Sequence, residues 1–187
     1  MRLRFFPVVL ALVPFALSQP KAHAQFAVYG LFSGGILGTT LTIPGTTARQ
    51  DAGFSSGGYT IGAYDEFTKA GPIHFGIDGR YFSQSSSNSN PYGNKIHGGL
   101  VGARLSLKLP ILPLKPYVQA EVGGVGTNYG INPDTTSSSA WQVNLGADFT
   151  VLPHLDLRAE YGGGEINAYQ GGNQTLQEFG GGLVLRF

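Results

Sequence analysis

Residues with chemical potential are few in this chain, and most of them are charges. Gly53-Phe54-Ser55-Ser56-Gly57 has the G-x-S-x-G spacing that presents a nucleophilic serine in hydrolases. That spacing works on a strained strand-to-helix elbow backed by a histidine and an acid. Here no helical periodicity follows it, and it lies in a polar loop of a chain rich in glycine and serine, so chance accounts for it. His74 is the only histidine on the same parity as the charged positions, and it has no recognisable nucleophile to activate. It reads as a hydrogen-bonded partner of those charges. No His or carboxylate cluster at i, i+2 spacing marks a metal site, and the chain has no cysteine. No catalytic, cofactor-binding or metal-ligating residue is assigned, and no cofactor is expected.

What the charged residues share is parity. Glu66, Asp78, Arg80, Arg104, Lys108, Glu121, Asp148, Asp156, Arg158, Glu160, Glu178 and Arg186 fall on one side of alternating segments. Asp156 and Glu160 flank Arg158, a spacing suited to ion pairing. Asp65 and Lys95 take the other parity, both at segment ends, and a bulge beside Phe67 would re-aim Asp65. That other side carries aromatics. Phe26, Phe67, Phe75, Phe149 and Phe187 gather toward one end, and Phe32, Tyr59, Tyr81, Trp141, Tyr161 and Phe179 toward the other. Tyr117 does not fit, since it shares the parity of Glu121. A basic side chain facing lipid at mid-bilayer costs about 2–4 kcal/mol, so the distribution implies lipid outside and a watery interior. A soluble barrel would reverse it.

The elements that position these residues are strands. Alternation and turn signals give eight, near Gln25–Gly35, Gly58–Phe67, Ile73–Ser83, Lys95–Leu109, Tyr117–Thr127, Ala140–Val151, Leu155–Gly164 and Thr175–Phe187. Three of them hold an aromatic pair eight residues apart: Tyr59 and Phe67, Trp141 and Phe149, Phe179 and Phe187. Eight residues at about 3.3 Å each, tilted roughly 40°, rise about 20 Å, close to the apolar band of an outer-membrane barrel. Connections at 39–57, 84–94, 128–139 and 165–174 are polar and mostly long, whereas 69–72, 110–116 and 152–154 are short. That asymmetry puts the short turns and both termini on the periplasmic side.

The N-terminus reads as a secretory signal over residues 1–24. Arg2 and Arg4 precede an apolar run from Phe5 to Leu17, and Ala22-His23-Ala24 is a small-x-small cleavage site. The expected mature chain, 25–187, is one domain. Losing Arg2, Arg4 and Lys21 leaves 9 basic against 11 acidic residues, which excludes a nucleic-acid footprint. No later stretch approaches the eighteen apolar residues of a membrane helix, so a chain that spans a bilayer must close into a barrel.

Strand number, loop asymmetry and the terminal phenylalanine make the chain resemble the small eight-stranded bacterial outer-membrane barrels, the class of the OmpA transmembrane domain and OmpX. The resemblance covers 25–187 and implies an all-β, antiparallel, up-and-down transmembrane barrel of a Gram-negative outer membrane, in contact with lipid and lipopolysaccharide. In that class a C-terminal strand ending in phenylalanine is read by the barrel-assembly machinery. Leu185 and Phe187 match its apolar positions, while Gly180 stands where a polar residue is usual. Two enzyme families share the architecture. The lipid A deacylases use a His-x-Ser pair and the lipid A palmitoyltransferases an Asp-Ser pair with a histidine; neither dipeptide pattern occurs here. The chain is thus expected to be non-enzymatic.

Two readings of the interior stay open. The inward charges, with His74, Gln119, Gln142 and Asn144, make either a salt-bridged plug or a polar ion path, and eight strands favour the plug. Gly58, Gly62, Gly98, Gly102, Gly123, Gly162, Gly164, Gly180 and Gly182 face inward toward the surface side. They either line a small-molecule vestibule or serve backbone bending. Function is expected in surface interaction, adhesin-like, through an extracellular ligand of the four long loops. A narrow porin-like channel or vestibule transporter is the alternative.

Overall fold

The computed structural model describes residues 25–38, 40–42, 49–51, 54–86, 94–109, 111–129, 136–169 and 172–187. The signal expected over 1–24 and the tips of the four long loops lie outside these residues. Ten strands follow in order: β1 (Gln25–Gly38), β2 (Thr40–Thr42), β3 (Arg49–Asp51), β4 (Phe54–Ala70), β5 (Ile73–Ser86), β6 (Asn94–Leu107), β7 (Leu114–Tyr129), β8 (Thr136–Leu152), β9 (Leu155–Tyr169) and β10 (Gly172–Arg186). β4 to β10 pair antiparallel in chain order, and β1 pairs with β4 on one side and β10 on the other, so the eight-stranded sheet closes. β2 and β3 pair separately as a short hairpin within the first long connection, which had been expected as loop.

Strict alternation builds the wall. Along β5 the odd-numbered residues from Ile73 face out and the even-numbered residues from His74 are buried inside. All eleven expected girdle aromatics lie on the outer parity, ten of them exposed and Phe26 half-buried. Phe26 meets Phe187 across the β1–β10 seam with ring centroids 6.1 Å apart. The strands run further toward the long loops than sequence polarity suggested, taking in 54–57, 84–86, 136–139 and 165–169. A polar outer face is no obstacle above the lipid, where only the backbone ladder needs to continue. Ser55 therefore sits exposed in a strand, and the G-x-S-x-G string falls largely within β4.

At the short-turn end, β4 joins β5 through Gly71-Pro72 and β8 joins β9 through Pro153-His154. Gly71 has φ of 62°, a left-handed conformation that suits glycine. The β6–β7 connection is longer, residues 108 to 113. β7 begins at Leu114, three residues before its first rung with β6 at Tyr117, and over that overhang it pairs only with β8. Pro116 lies in the overhang, where its missing N–H breaks no bond to β6. A register shift between Glu66 and Thr68 places a bulge at Phe67. Asp65, on its N-terminal side, stays half-buried with outward parity.

The interior is filled in two kinds of layer. Toward the long loops, Phe82, Ile96, Leu100, Val125, Ala140, Ile166 and Leu176 form an apolar cluster. Toward the short turns the interior is ionic and aromatic. The outer wall predicts a simple stability test. Leu145 lies midway between Trp141 and Phe149 and is 59 % exposed to the lipid side. Leu145→Arg should lower stability by about 2–4 kcal/mol in urea titrations of vesicle-embedded protein.

Candidate functional site

The charged interior is assembled from residues that are remote in sequence and adjacent across the lumen. Nearest the short turns, Glu66 accepts from Lys115 Nζ at 2.6 Å, Ser106 Oγ at 2.8 Å and Arg104 Nε at 3.3 Å, with His74 Nδ1 at 3.2 Å. Arg104 also donates to Asp148 at 3.0 Å and to Gln119 at 3.0 Å. Asp148 is shared: Arg158 reaches its two oxygens at 2.7 and 2.9 Å. A second cluster lies further up the lumen. Arg80 pairs with Glu160 at 2.6 Å and Glu121 at 3.0 Å, and Asn144 donates to Glu121 at 2.8 Å.

Three inward tyrosines knit the two clusters together. The Arg104 guanidinium lies 3.6 Å from the Tyr117 ring centroid and 4.2 Å from that of Tyr64. Arg158 lies 4.3 Å from Tyr29 and 4.7 Å from Tyr117. Tyr117 Oη donates to Glu160 at 2.6 Å, and Tyr29 Oη to Asp78 at 2.7 Å. The rings thus face the guanidinium planes while two of the hydroxyls reach the carboxylates. Weakly hydrated, planar guanidinium groups tolerate such an arrangement better than ammonium groups would. Gly62 and Gly146 make room for it, since a Cβ at either position would strike the Tyr29 or Tyr117 ring. Above, Glu178 takes hydrogen bonds from Thr60 at 2.9 Å and Gln142 at 3.1 Å.

Of the twelve charges expected inside, ten are buried there: Glu66, Asp78, Arg80, Arg104, Glu121, Asp148, Asp156, Arg158, Glu160 and Glu178. Arg186 is half-buried at the short-turn rim and pairs with Asp156 at 2.8 Å. Lys108 is a correction. It follows the last residue of β6, so the alternation that points Arg104 and Ser106 inward has lapsed, and its side chain is exposed. Lys115 was missed for the opposite reason. Reading the strand from Tyr117 left it in a turn, yet β7 starts at Leu114 and buries it. Its parity with Tyr117, Gln119 and Glu121 was the available signal, masked by Pro116. Tyr29 and Tyr64 were equally legible from parity, and the misfit of Tyr117 was their clue.

At some surface-side glycines the space is taken by side chains: a Cβ at Gly98 would meet Val125 and Phe82, and one at Gly162 would meet Asn144 and Gln142. At Gly58, Gly102, Gly123, Gly164 and Gly182 a Cβ would meet the backbone of the neighbouring strand, so these glycines serve close strand approach. Some polar atoms inside still lack a protein partner, including Asp78 Oδ2, Gln119 Nε2, Gln142 Oε1 and Arg158 Nη1. Such atoms call for water.

Residues 8–187 match the family model described as outer membrane protein beta-barrel domain. No curated protein matches the chain by sequence. Among solved structures, the chain is similar to neisserial surface protein A with a TM-score of 0.60 and 17 % identity, over 87 % of this chain and 97 % of that one. It is also similar to Ail, the attachment invasion locus protein of Yersinia pestis, with a TM-score of 0.55 and 12 % identity, over 88 % and 99 % of the two chains. At these identities the likeness is one of fold.

The network predicts unequal costs for its members. Asp148→Asn leaves both Arg104 and Arg158 short of a carboxylate in the buried cluster and should cost about 3–5 kcal/mol in urea titration. Tyr117→Phe removes one hydroxyl bond to a charged acceptor and should cost about 1.5–3 kcal/mol.

Proposed function

The chain belongs to the family of outer-membrane protein β-barrel domains, and from that premise we propose that it is a sealed surface barrel whose work is done by what its long loops present. In this reading residues 1–24 direct export and are removed, and Leu185 and Phe187 are read by the barrel-assembly machinery. Both side chains face outward, where an assembly factor has access to them. The bacterial outer membrane is the protein's location, and its outer aromatic and aliphatic wall contacts lipid.

The observation that carries the proposal is the filled lumen. Arg80, Arg104 and Arg158 interleave with Tyr29, Tyr64 and Tyr117 on the short-turn side, and an apolar cluster lies toward the long loops. A solute following the axis would have to displace paired guanidinium groups and then the apolar cluster around Phe82. A barrel that carries nothing through its centre offers the cell its outside. Ail is by its name an attachment and invasion protein, and a related structure of it holds the heparin analogue sucrose octasulfate. Those words describe Ail; at 13 % identity they add a direction for ligand screening and no argument. Loop residues 43–48, 87–93 and 130–135, where such a ligand would be sought, lie outside the described residues.

The second reading, a narrow channel, is favoured by the unpartnered polar atoms of the lumen, which a file of water would satisfy. Planar-bilayer recordings separate the two. The sealed barrel should be silent as wild type, and Arg158→Ala should open a small conductance by removing the residue that touches Asp148 and three tyrosines. Steady, ion-selective current through the unmodified protein would make it a channel and end the sealed reading.

A further inference from the structure

Among the described residues, open space is found at the short-turn end, opposite to the expected vestibule. A cavity of about 420 Å³ sits at the short-turn mouth, lined among others by Gln25, Lys108, Ile111, Leu112, Lys115 and Arg186. Gln25 and Arg186 come from β1 and β10, whereas Lys108, Ile111 and Leu112 come from the β6–β7 connection and Lys115 from the start of β7, on the other side of the ring. The long turn therefore reaches over the mouth, and Lys115 Nζ touches Gln25 Oε1 across it at 3.3 Å.

Two features of this cavity lack an internal explanation. The first is its charge. Lys108, Lys115 and Arg186 line it and no carboxylate does. The acids of this end, Glu66, Asp148 and Asp156, are buried behind their cations, and Asp65 is only half-buried. Lys115 and Arg186 are paired with Glu66 and Asp156, but the Lys108 ammonium has no partner among the described residues. The second is the apolar character of the turn. Ile111 is 92 % exposed and Leu112 57 %, in a connection where the other two turns manage with a glycine-proline and a proline-histidine pair. The turn starts from the bilayer boundary, since Leu114 pairs with the girdle residue Phe149.

We propose that this mouth binds an amphipathic anion, a phosphate carrying an acyl or alkyl chain. Lys108 and the rim face of Arg186 hold the phosphate, and the chain lies along Ile111 and Leu112 toward the bilayer edge. A bare anion would have use for the cations and none for the aliphatic wall; a neutral hydrocarbon would have the reverse. Only a molecule with both parts uses the whole lining. It can come from two sources, a phospholipid of the periplasmic leaflet or a free amphiphile, and the chemistry recognised is the same. This site goes beyond the surface role proposed above and is independent of whether the lumen conducts.

The test is amide NMR of the labelled protein in phosphatidylcholine nanodiscs, titrated with dodecyl phosphate or inorganic phosphate. Dodecyl phosphate should shift the amides of Lys108, Leu109, Ile111, Leu112, Leu114, Lys115 and Arg186 in a saturable way. Lys108→Gln should weaken its affinity about five-fold, the usual worth of one basic residue against an anionic headgroup, and Ile111→Ser should weaken it also. Both substitutions change exposed turn residues outside the strands, so the barrel spectrum is retained. If nanodiscs containing phosphatidylglycerol produce the same shifts unaided, the leaflet lipid is the occupant; if only added dodecyl phosphate does, a free amphiphile is, and either result sustains the site. Equal shifts from inorganic phosphate, shifts spread over the whole wall, or an affinity unchanged in both variants would overturn it.

Discussion

Closure of the sheet through β1 and β10 is the constraint from which the other features descend. Inside a bilayer no water is available for an unpaired amide, so a sheet edge there costs several kcal/mol per group. The antiparallel register from Ala27↔Arg186 to Gly38↔Thr175 removes both edges at once. Once the ring is closed with eight strands, its diameter is set, and one parity of every strand has nowhere to point but a narrow shared interior. Twelve sequence positions with charges then become a packing problem. Ten of them are buried in that interior and one at its rim.

The solution combines interactions that are individually modest. Buried ion pairs regain little more than they lose in desolvation, and their value depends on complete hydrogen bonding. Here arginines share acids and acids share arginines: Asp148 serves Arg104 and Arg158, and Arg80 serves Glu160 and Glu121. Tyrosine rings occupy the space between, adding dispersion and cation–π attraction without introducing another formal charge. The apolar cluster beyond needs no pairing at all. The ionic layer fills one end of the interior, and the apolar cluster, with buried polar side chains such as Gln84 and Glu178 beside it, fills the other.

The two mouths consequently differ in kind. The long-loop end is backed by the apolar cluster around Phe82 and extends its strands past the outer aromatics. The short-turn end is backed by cations whose acids lie deeper, under a turn with an aliphatic surface. The outer wall is apolar, and the inner mouth is basic and amphipathic.

Much of this was legible in the residues, and what was legible has one physical character. Lipid on one side imposes a period of two along each strand, so the membrane class, the outward aromatics such as Trp141 and Phe149, and the inward set containing Arg104 and Glu160 follow from alternation alone. Where alternation ends, so does the reading. Alternation carries β6 two residues past its end and so puts Lys108 inside, and Pro116 delays the apparent start of β7 and so leaves Lys115 in a turn. Pairing was beyond it altogether. Tyr117 meets Glu160 and Glu66 meets Lys115 only because strand stagger and ring closure bring those positions to one level of the lumen. Alternation is a local property of consecutive residues, and it names the face of a side chain. Which side chain stands opposite is decided by register around a closed ring, a property no single strand contains.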